Sequence, residues 1–205
     1  MKREYIFLNS FMAGVYIGIA GLIYLSVNQP VIGALFFSFG LLVILSREYF
    51  LYTGKVGYFY PFNKAYAIML LKTLLGNFLG IVTVARLFVL TGVEAVILKG
   101  SLLYQTKLES LWYETLILAI FCGMMMYIAV DSYKRVKIDI LKVLLVMMSV
   151  VIFILAKFEH SVANMLYLFL GDRFTFQSFL WLFIMIIGNG IGGITLHYIE
   201  IKRNN

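Results

Sequence analysis

Two apolar stretches, residues 138–156 and 165–170, stand on either side of Lys157-Phe158-Glu159-His160-Ser161-Val162-Ala163-Asn164. This placement constrains the chain more than any other feature. A charge inside hydrocarbon costs several kcal/mol, and every unpaired backbone group adds to that cost. Two readings fit the stretch on its own. In the first, a membrane helix ends at Ala156 and residues 158–164 form an ordinary wet loop. In the second, a membrane helix is broken here and its polar residues line a pathway.

Composition favours a membrane setting. Of the 205 residues 62% are hydrophobic and 13% charged, with mean hydropathy +0.95, against about 25% charged in a soluble domain. Two prolines and seventeen glycines suit continuous, closely packed helices better than the short alternating strands of a β-barrel. The single cysteine, Cys122, excludes an internal disulfide and a cysteine-rich metal site. No nucleic-acid motif, phosphate-binding glycine loop or nucleophile triad is present, so no cofactor, metal or nucleic-acid partner is expected. Met1-Lys2-Arg3 resembles a charged leader start, but the following apolar stretch is long enough to span and lacks a convincing cleavage site.

Six spans can be drawn: residues 5–27, 31–50, 65–92, 113–133, 138–156 continuing past the break to 170, and 178–200. Asn28-Gln29-Pro30 makes the first tight turn. Lysine and arginine then set the orientation. One side carries Lys2, Arg3, Lys55, Lys64, Lys134, Arg135, Lys137, Lys142, Lys202 and Arg203; the other carries Lys99, Lys107 and Arg173. Both termini are therefore expected in the cytoplasm of a multi-pass inner (plasma) membrane protein.

The chain also repeats itself. Gly76-Asn77-Phe78-Leu79-Gly80-Ile81-Val82-Thr83 in the third span matches Gly188-Asn189-Gly190-Ile191-Gly192-Gly193-Ile194-Thr195 in the sixth. Gly14 and Gly18 in the first span have a counterpart in Gly123 of the fourth. Small residues four apart also suit plain tight packing. Read as a duplication, residues 5–92 and 113–200 are two halves of three spans that enter from opposite sides. Such an inverted repeat is frequent among transport proteins. The second span is then expected to break like the fifth, and Arg47, Glu48 and Leu51-Tyr52-Thr53-Gly54-Lys55 follow its apolar part. Gly14 to Thr53 is 39 positions (53 − 14) and Gly123 to His160 is 37 (160 − 123), so the two breaks are expected at matching depths.

The run from Phe158 to Met165 resembles the EHSxANM signature of the formate/nitrite transporter family, which includes hydrosulfide channels. Leu51-Tyr52-Thr53-Gly54 is similar to that family's LFTG loop, and Phe37-Ser38-Phe39-Gly40-Leu41 to the segment just upstream. Gly188-Asn189 with Gly192-Gly193 resembles its last helix, and Lys107 a lysine near the outer mouth. The resemblance covers nearly the whole chain in order. It implies an all-α, aquaporin-like protomer of six transmembrane helices with the second and fifth interrupted. It further implies a homopentamer with one pore per protomer, and small monovalent anions such as formate, nitrite or hydrosulfide as cargo. By motif position Leu41, Leu51 and Phe37 form a greasy constriction on one side of the centre and Phe153 contributes to the other. Thr53 and His160 face each other between them, and Tyr52 and Asn164 of the two broken stretches are expected on the same substrate pathway. Against the family pattern, Phe50 stands where an acidic residue is usual, Lys55 for an asparagine, Gly123 for an asparagine and Lys157 for a glycine.

Those residues suggest a chemistry. Helix N-terminal amides at the two breaks offer partial positive charge to an anion. A histidine, whose reference pKa is near ~6.5, exchanges protons at physiological pH, so cargo sharing a proton with His160 crosses as a nearly neutral species. Thr53 offers a hydroxyl donor. Glu159 is expected to be structural, Lys157 to pair with Glu159, Arg47 to pair with Glu48, and His197 to be incidental. Lys107 is either an ordinary surface charge or a means of concentrating anions at the mouth. The rival within transport is a conduit for a neutral solute, which would carry no current. A membrane enzyme using His160 would need more titratable groups than two histidines supply.

Overall fold

The computed structural model describes residues 5–204, so Lys2 and Arg3 of the orientation count lie outside the described residues. Among those residues the chain forms nine α-helices and no strand. They are α1 (Ile6–Ser26), α2 (Pro30–Ser46), α3 (Tyr52–Lys55), α4 (Lys64–Val89), α5 (Glu94–Leu108), α6 (Trp112–Arg135), α7 (Asp139–Leu155), α8 (Ser161–Gly171) and α9 (Phe176–Asn204). A 3-10 turn, Val56–Phe59, follows α3.

Local chemistry explains several boundaries. Gln29 caps α2 by accepting the Ile32 N–H at 2.6 Å, and Pro30 occupies the first helical position, where its missing N–H costs nothing. Asn63 caps α4 through the Tyr66 N–H, and the Glu114 carboxylate accepts the Leu111 N–H before α6. The expected third connection contains a helix that hydropathy did not reveal. This is α5, whose buried side is only Val96, Gly100 and Tyr104.

Four helices are long and apolar enough to cross a membrane: Ile6–Ser26, Lys64–Val89, Trp112–Arg135 and Phe176–Arg203. Two close pairs organise them. Helix α1 packs on α4 and α6 on α9, each through glycines with no room for a side chain. A Cβ at Gly14 would strike the Asn77 carbonyl oxygen, and one at Gly123 the Asn189 carbonyl oxygen. In the same way Gly80 lies against the Phe11 carbonyl and Gly192 against the Ile120 carbonyl. The glycine pattern thus serves tight packing, and it serves it in the same way in both halves. Meanwhile Leu71, Phe36, Leu98, Ile140 and Phe183 are exposed on the outside, whereas Asn77, Asn189, Thr53 and His160 are buried within. Large apolar side chains thus face outward as well as inward, which a soluble domain avoids.

Candidate functional site

Helices α2 and α7 end identically. The chain turns into the left-handed region at Glu48 (φ 56°) and at Lys157 (φ 58°), and 157 − 48 = 109. The Tyr49 N–H donates to the Ile44 carbonyl at 2.9 Å and the Phe158 N–H to the Phe153 carbonyl at 2.8 Å, again 109 positions apart (158 − 49). The Phe50 N–H then reaches the Asn9 carbonyl at 3.4 Å, and the Glu159 N–H the Leu118 carbonyl at 3.2 Å. A left-handed, non-glycine residue closes each helix, and the next residues run non-helically to α3 and α8.

One asparagine holds each non-helical stretch. Asn77 of α4 donates to the carbonyls of Ser10 (2.7 Å) and Phe50 (2.8 Å) and accepts the Tyr52 N–H at 2.8 Å. Asn189 of α9 donates to the carbonyls of Ala119 and Glu159, both at 2.8 Å, and accepts the Ser161 N–H at 2.9 Å. Buried backbone groups freed by a helix end must find partners, and these two amides supply them. Their role was not assigned from sequence; the recurring Gly-Asn pair was the available signal.

These bonds correct the expected register. The residue equivalent to His160 is Leu51 (160 − 109), because each precedes the first residue of its short helix as its N-cap. Thr53 lies two positions further on. It nevertheless meets His160: Oγ1 is 2.9 Å from Nε2, with both residues buried. The other ring nitrogen, Nδ1, accepts the Ala163 N–H at 3.0 Å and so caps α8. A nitrogen that accepts from an amide carries no proton, so the neutral ring bears its hydrogen on Nε2 and donates it to Thr53. The Thr53 hydroxyl hydrogen remains available to a third group. Phe153 stacks on the imidazole at 5.5 Å and 16°, and Phe37 stands edge-on to Phe153 at 6.0 Å.

The remaining polar residues form a separate cluster. Lys107 Nζ lies 2.8 and 2.7 Å from the two Glu159 carboxylate oxygens, and Asn164 Nδ2 donates to the same carboxylate at 2.8 Å. Both ends of the pair are largely buried, with side-chain exposures of 13% and 7%. Lys107 is therefore committed to Glu159. The expected Lys157–Glu159 and Arg47–Glu48 pairs do not form among the described residues: the left-handed turns leave Lys157 and Glu48 exposed, and Lys107 takes the carboxylate. Nor is His197 isolated, since its Nδ1 is 3.1 Å from the Tyr127 hydroxyl and its ring packs on Tyr58 at 4.9 Å.

Leu41 and Leu51 line a cavity of about 400 Å³, together with Ile44, Lys55 and Lys134. Phe37, one helical turn before Leu41, is buried against Phe153 and Tyr24. The Tyr52 hydroxyl donates to the Ile186 carbonyl at 3.3 Å, which turns this side chain toward α9.

Apolar helices of spanning length, arranged around a buried polar centre and presenting apolar side chains outward, define a multi-pass membrane protein. A family model described as Formate/nitrite transporter matches residues 1–199, and the chain belongs to that family. Its fold is shared by solved channels. One, described as a pentameric formate channel with formate bound, is 20% identical with a TM-score of 0.83, covering 97% of this chain and 97% of that one. Another, an FNT family ion channel, is 19% identical with a TM-score of 0.86, covering 100% of this chain and 91% of that one. No curated protein matches the sequence.

Proposed function

We propose that this protein is a transmembrane channel for small monovalent anions of weak acids, of the formate, nitrite or hydrosulfide class. The observation that carries the reading is the buried contact between Thr53 Oγ1 and His160 Nε2, in a chain of the formate/nitrite transporter family. The 109-position correspondence of bonds supports an inverted duplication, residues 5–92 and 113–200, within one channel domain. In that arrangement α2 with α3, and α7 with α8, are two further crossings, broken near the middle. Helix α2 alone has 17 residues and rises about 25 Å, short of a hydrocarbon core of about 30 Å.

Cargo enters past Leu41 and Leu51, loses water there, and meets the Thr53 hydroxyl, whose hydrogen is not used within the protein. Phe153 and Phe37 form the apolar wall beyond. Charged transit needs only hydrogen bonding at this centre. Proton-linked transit needs His160 to take up a proton, and the ring's one basic lone pair, at Nδ1, already accepts the Ala163 N–H. That proton displaces the Ala163 N–H, so linkage requires release of the α8 cap. The Lys107–Glu159–Asn164 cluster holds the residue next to His160 in place. Tyr52 and Asn164 stand in the two breaks beside the path, and the Asn164 Oδ1 is buried without a partner among the described residues.

By analogy with the pentameric relative, five copies assemble with one path in each, and the exposed apolar faces meet lipid or a neighbouring copy. The lysine- and arginine-rich side, with both termini, faces the cytoplasm of the inner membrane. The test is uptake by proteoliposomes of formate, nitrite and hydrosulfide, compared with currents under a voltage. Saturable uptake with current supports a path for the charged anion; uptake without current supports either proton-linked transit or a conduit for the neutral acid, and these are separated by whether His160→Asn changes the pH profile.

A further inference from the structure

We propose that Lys55, Lys72 and Lys134 form a second anion site, distinct from the Thr53–His160 centre, that takes a phosphate group on the lysine-rich side of the protein. They line a cavity of about 800 Å³ between α4, the turn after α3 and the end of α6. Among the described residues no aspartate or glutamate lines it, and none of the three ammonium groups lies within 4.0 Å of a carboxylate. Like charges facing one cavity repel, and a single monovalent anion compensates only part of that repulsion. A phosphate group brings up to about two charges and several strong acceptor oxygens.

Two of the lysines are held in place. Lys134 Nζ sits 3.6 Å from the Tyr58 ring centroid, and Lys55 Nζ 4.6 Å from that of Phe50. Cation–π contact on one side fixes an ammonium while leaving N–H donors for a ligand. Tyr58 is itself anchored, its hydroxyl donating to Asp131 at 3.1 Å, and Asp131 is already paired with Arg135 at 2.9 Å.

The site has a consequence that rests on the channel reading above. Phe50, Lys55 and Lys134 also line the adjoining cavity of about 400 Å³ that reaches Leu41 and Leu51, with Glu48 as its one carboxylate. A phosphate group held on these lysines stands at the mouth of the path and obstructs it. Free phosphate and a phospholipid headgroup share this chemistry, and Ile68 and Met69 beside the lysines suit acyl chains as well as they suit nothing charged.

The test measures binding and flux separately on the full-length protein. Inorganic phosphate is expected to raise the melting temperature of the detergent-purified protein and to slow formate uptake from the lysine-rich side. Lys55→Asn and Lys134→Gln each weaken both effects by about tenfold, as expected for losing one charge-assisted hydrogen bond, while Lys55→Arg retains them. If phosphate does nothing but vesicles containing an anionic phospholipid give the same lysine-dependent stabilisation over phosphatidylcholine alone, the site stands with lipid as its source. If parent and variants respond alike to both, or chloride acts as well as phosphate, the proposal is overturned. Lysine-dependent phosphate binding in a protein that moves none of formate, nitrite and hydrosulfide keeps the site and removes the channel reading.

Discussion

Asn77 and Asn189 do the same work in the two halves of the molecule: each side-chain amide donates to the carbonyl before a helix break and accepts the N–H two residues later. Each also donates to a neighbouring helix, at Ser10 and at Ala119. The two breaks are thus tied to α1 and to α6 by one residue apiece.

Replacing either asparagine by alanine leaves two buried backbone groups of the break without partners, the Phe50 carbonyl and Tyr52 N–H or the Glu159 carbonyl and Ser161 N–H; the Ser10 and Ala119 carbonyls keep their helical bonds. Each such group costs about 1–3 kcal/mol, and relaxation offsets part of the sum. Asn77→Ala and Asn189→Ala are each expected to lose about 2 kcal/mol or more of stability, by similar amounts, in detergent unfolding. A variant that melts like the parent would show that the breaks are supported by something else.

The Lys107–Glu159 pair predicts an asymmetry between single and double changes. Lys107→Met leaves a buried carboxylate with Asn164 as its one remaining side-chain partner, and breaking a buried pair this way costs about 3–5 kcal/mol. Lys107→Met with Glu159→Gln removes both charges and is expected to recover most of that loss. Additive losses in a thermal-melt cycle would mean that the two residues are not coupled as their 2.7 Å separation implies.

Lys157 occupies a left-handed conformation (φ 58°) with its side chain exposed. A non-glycine residue pays roughly 1 kcal/mol there. Lys157→Gly is therefore expected to be neutral or stabilising by up to about 1 kcal/mol, despite the added freedom of the unfolded chain. Marked destabilisation would show that the lysine makes a contact that this conformation does not provide.

Much of this was legible in the sequence, and the parts that were not share a physical reason. Hydropathy located the four long helices, and the Gly-Asn recurrence marked the two asparagines that hold equivalent turns. Spacing from Gly14 and Gly123 aligned Thr53 with His160, whereas the backbone aligns Leu51 with His160. The side chains at the ends of the breaks do not follow the repeat: Leu51 stands at the cap position that His160 occupies in the other half, although the turns and the asparagines that hold them correspond. The partner of Glu159 was likewise hidden. Lys157 is two residues away, but the turn points it outward, and Lys107 arrives from α5, 52 positions upstream (159 − 107). Helix α5 itself carries too little apolar surface on one face to be read as a helix from periodicity.

Thr53→Val keeps the shape but removes the acceptor of the His160 Nε2–H and the hydroxyl offered to cargo. A buried donor left unpaired costs about 1–3 kcal/mol, and formate flux is expected to fall about tenfold or more, with Thr53→Ser retaining most of it. Unchanged flux in Thr53→Val would remove the hydroxyl from the path.

The most direct test is the pH profile of formate uptake by the parent protein and by His160→Asn in proteoliposomes. Asparagine keeps an acceptor for the Ala163 N–H, so α8 stays capped, but it cannot exchange a proton. Parent flux is expected to rise as pH falls, and the variant to show a flat, pH-insensitive flux. A variant with the parent's rate and the parent's pH dependence would contradict the account, because the imidazole would then have no part in moving the anion.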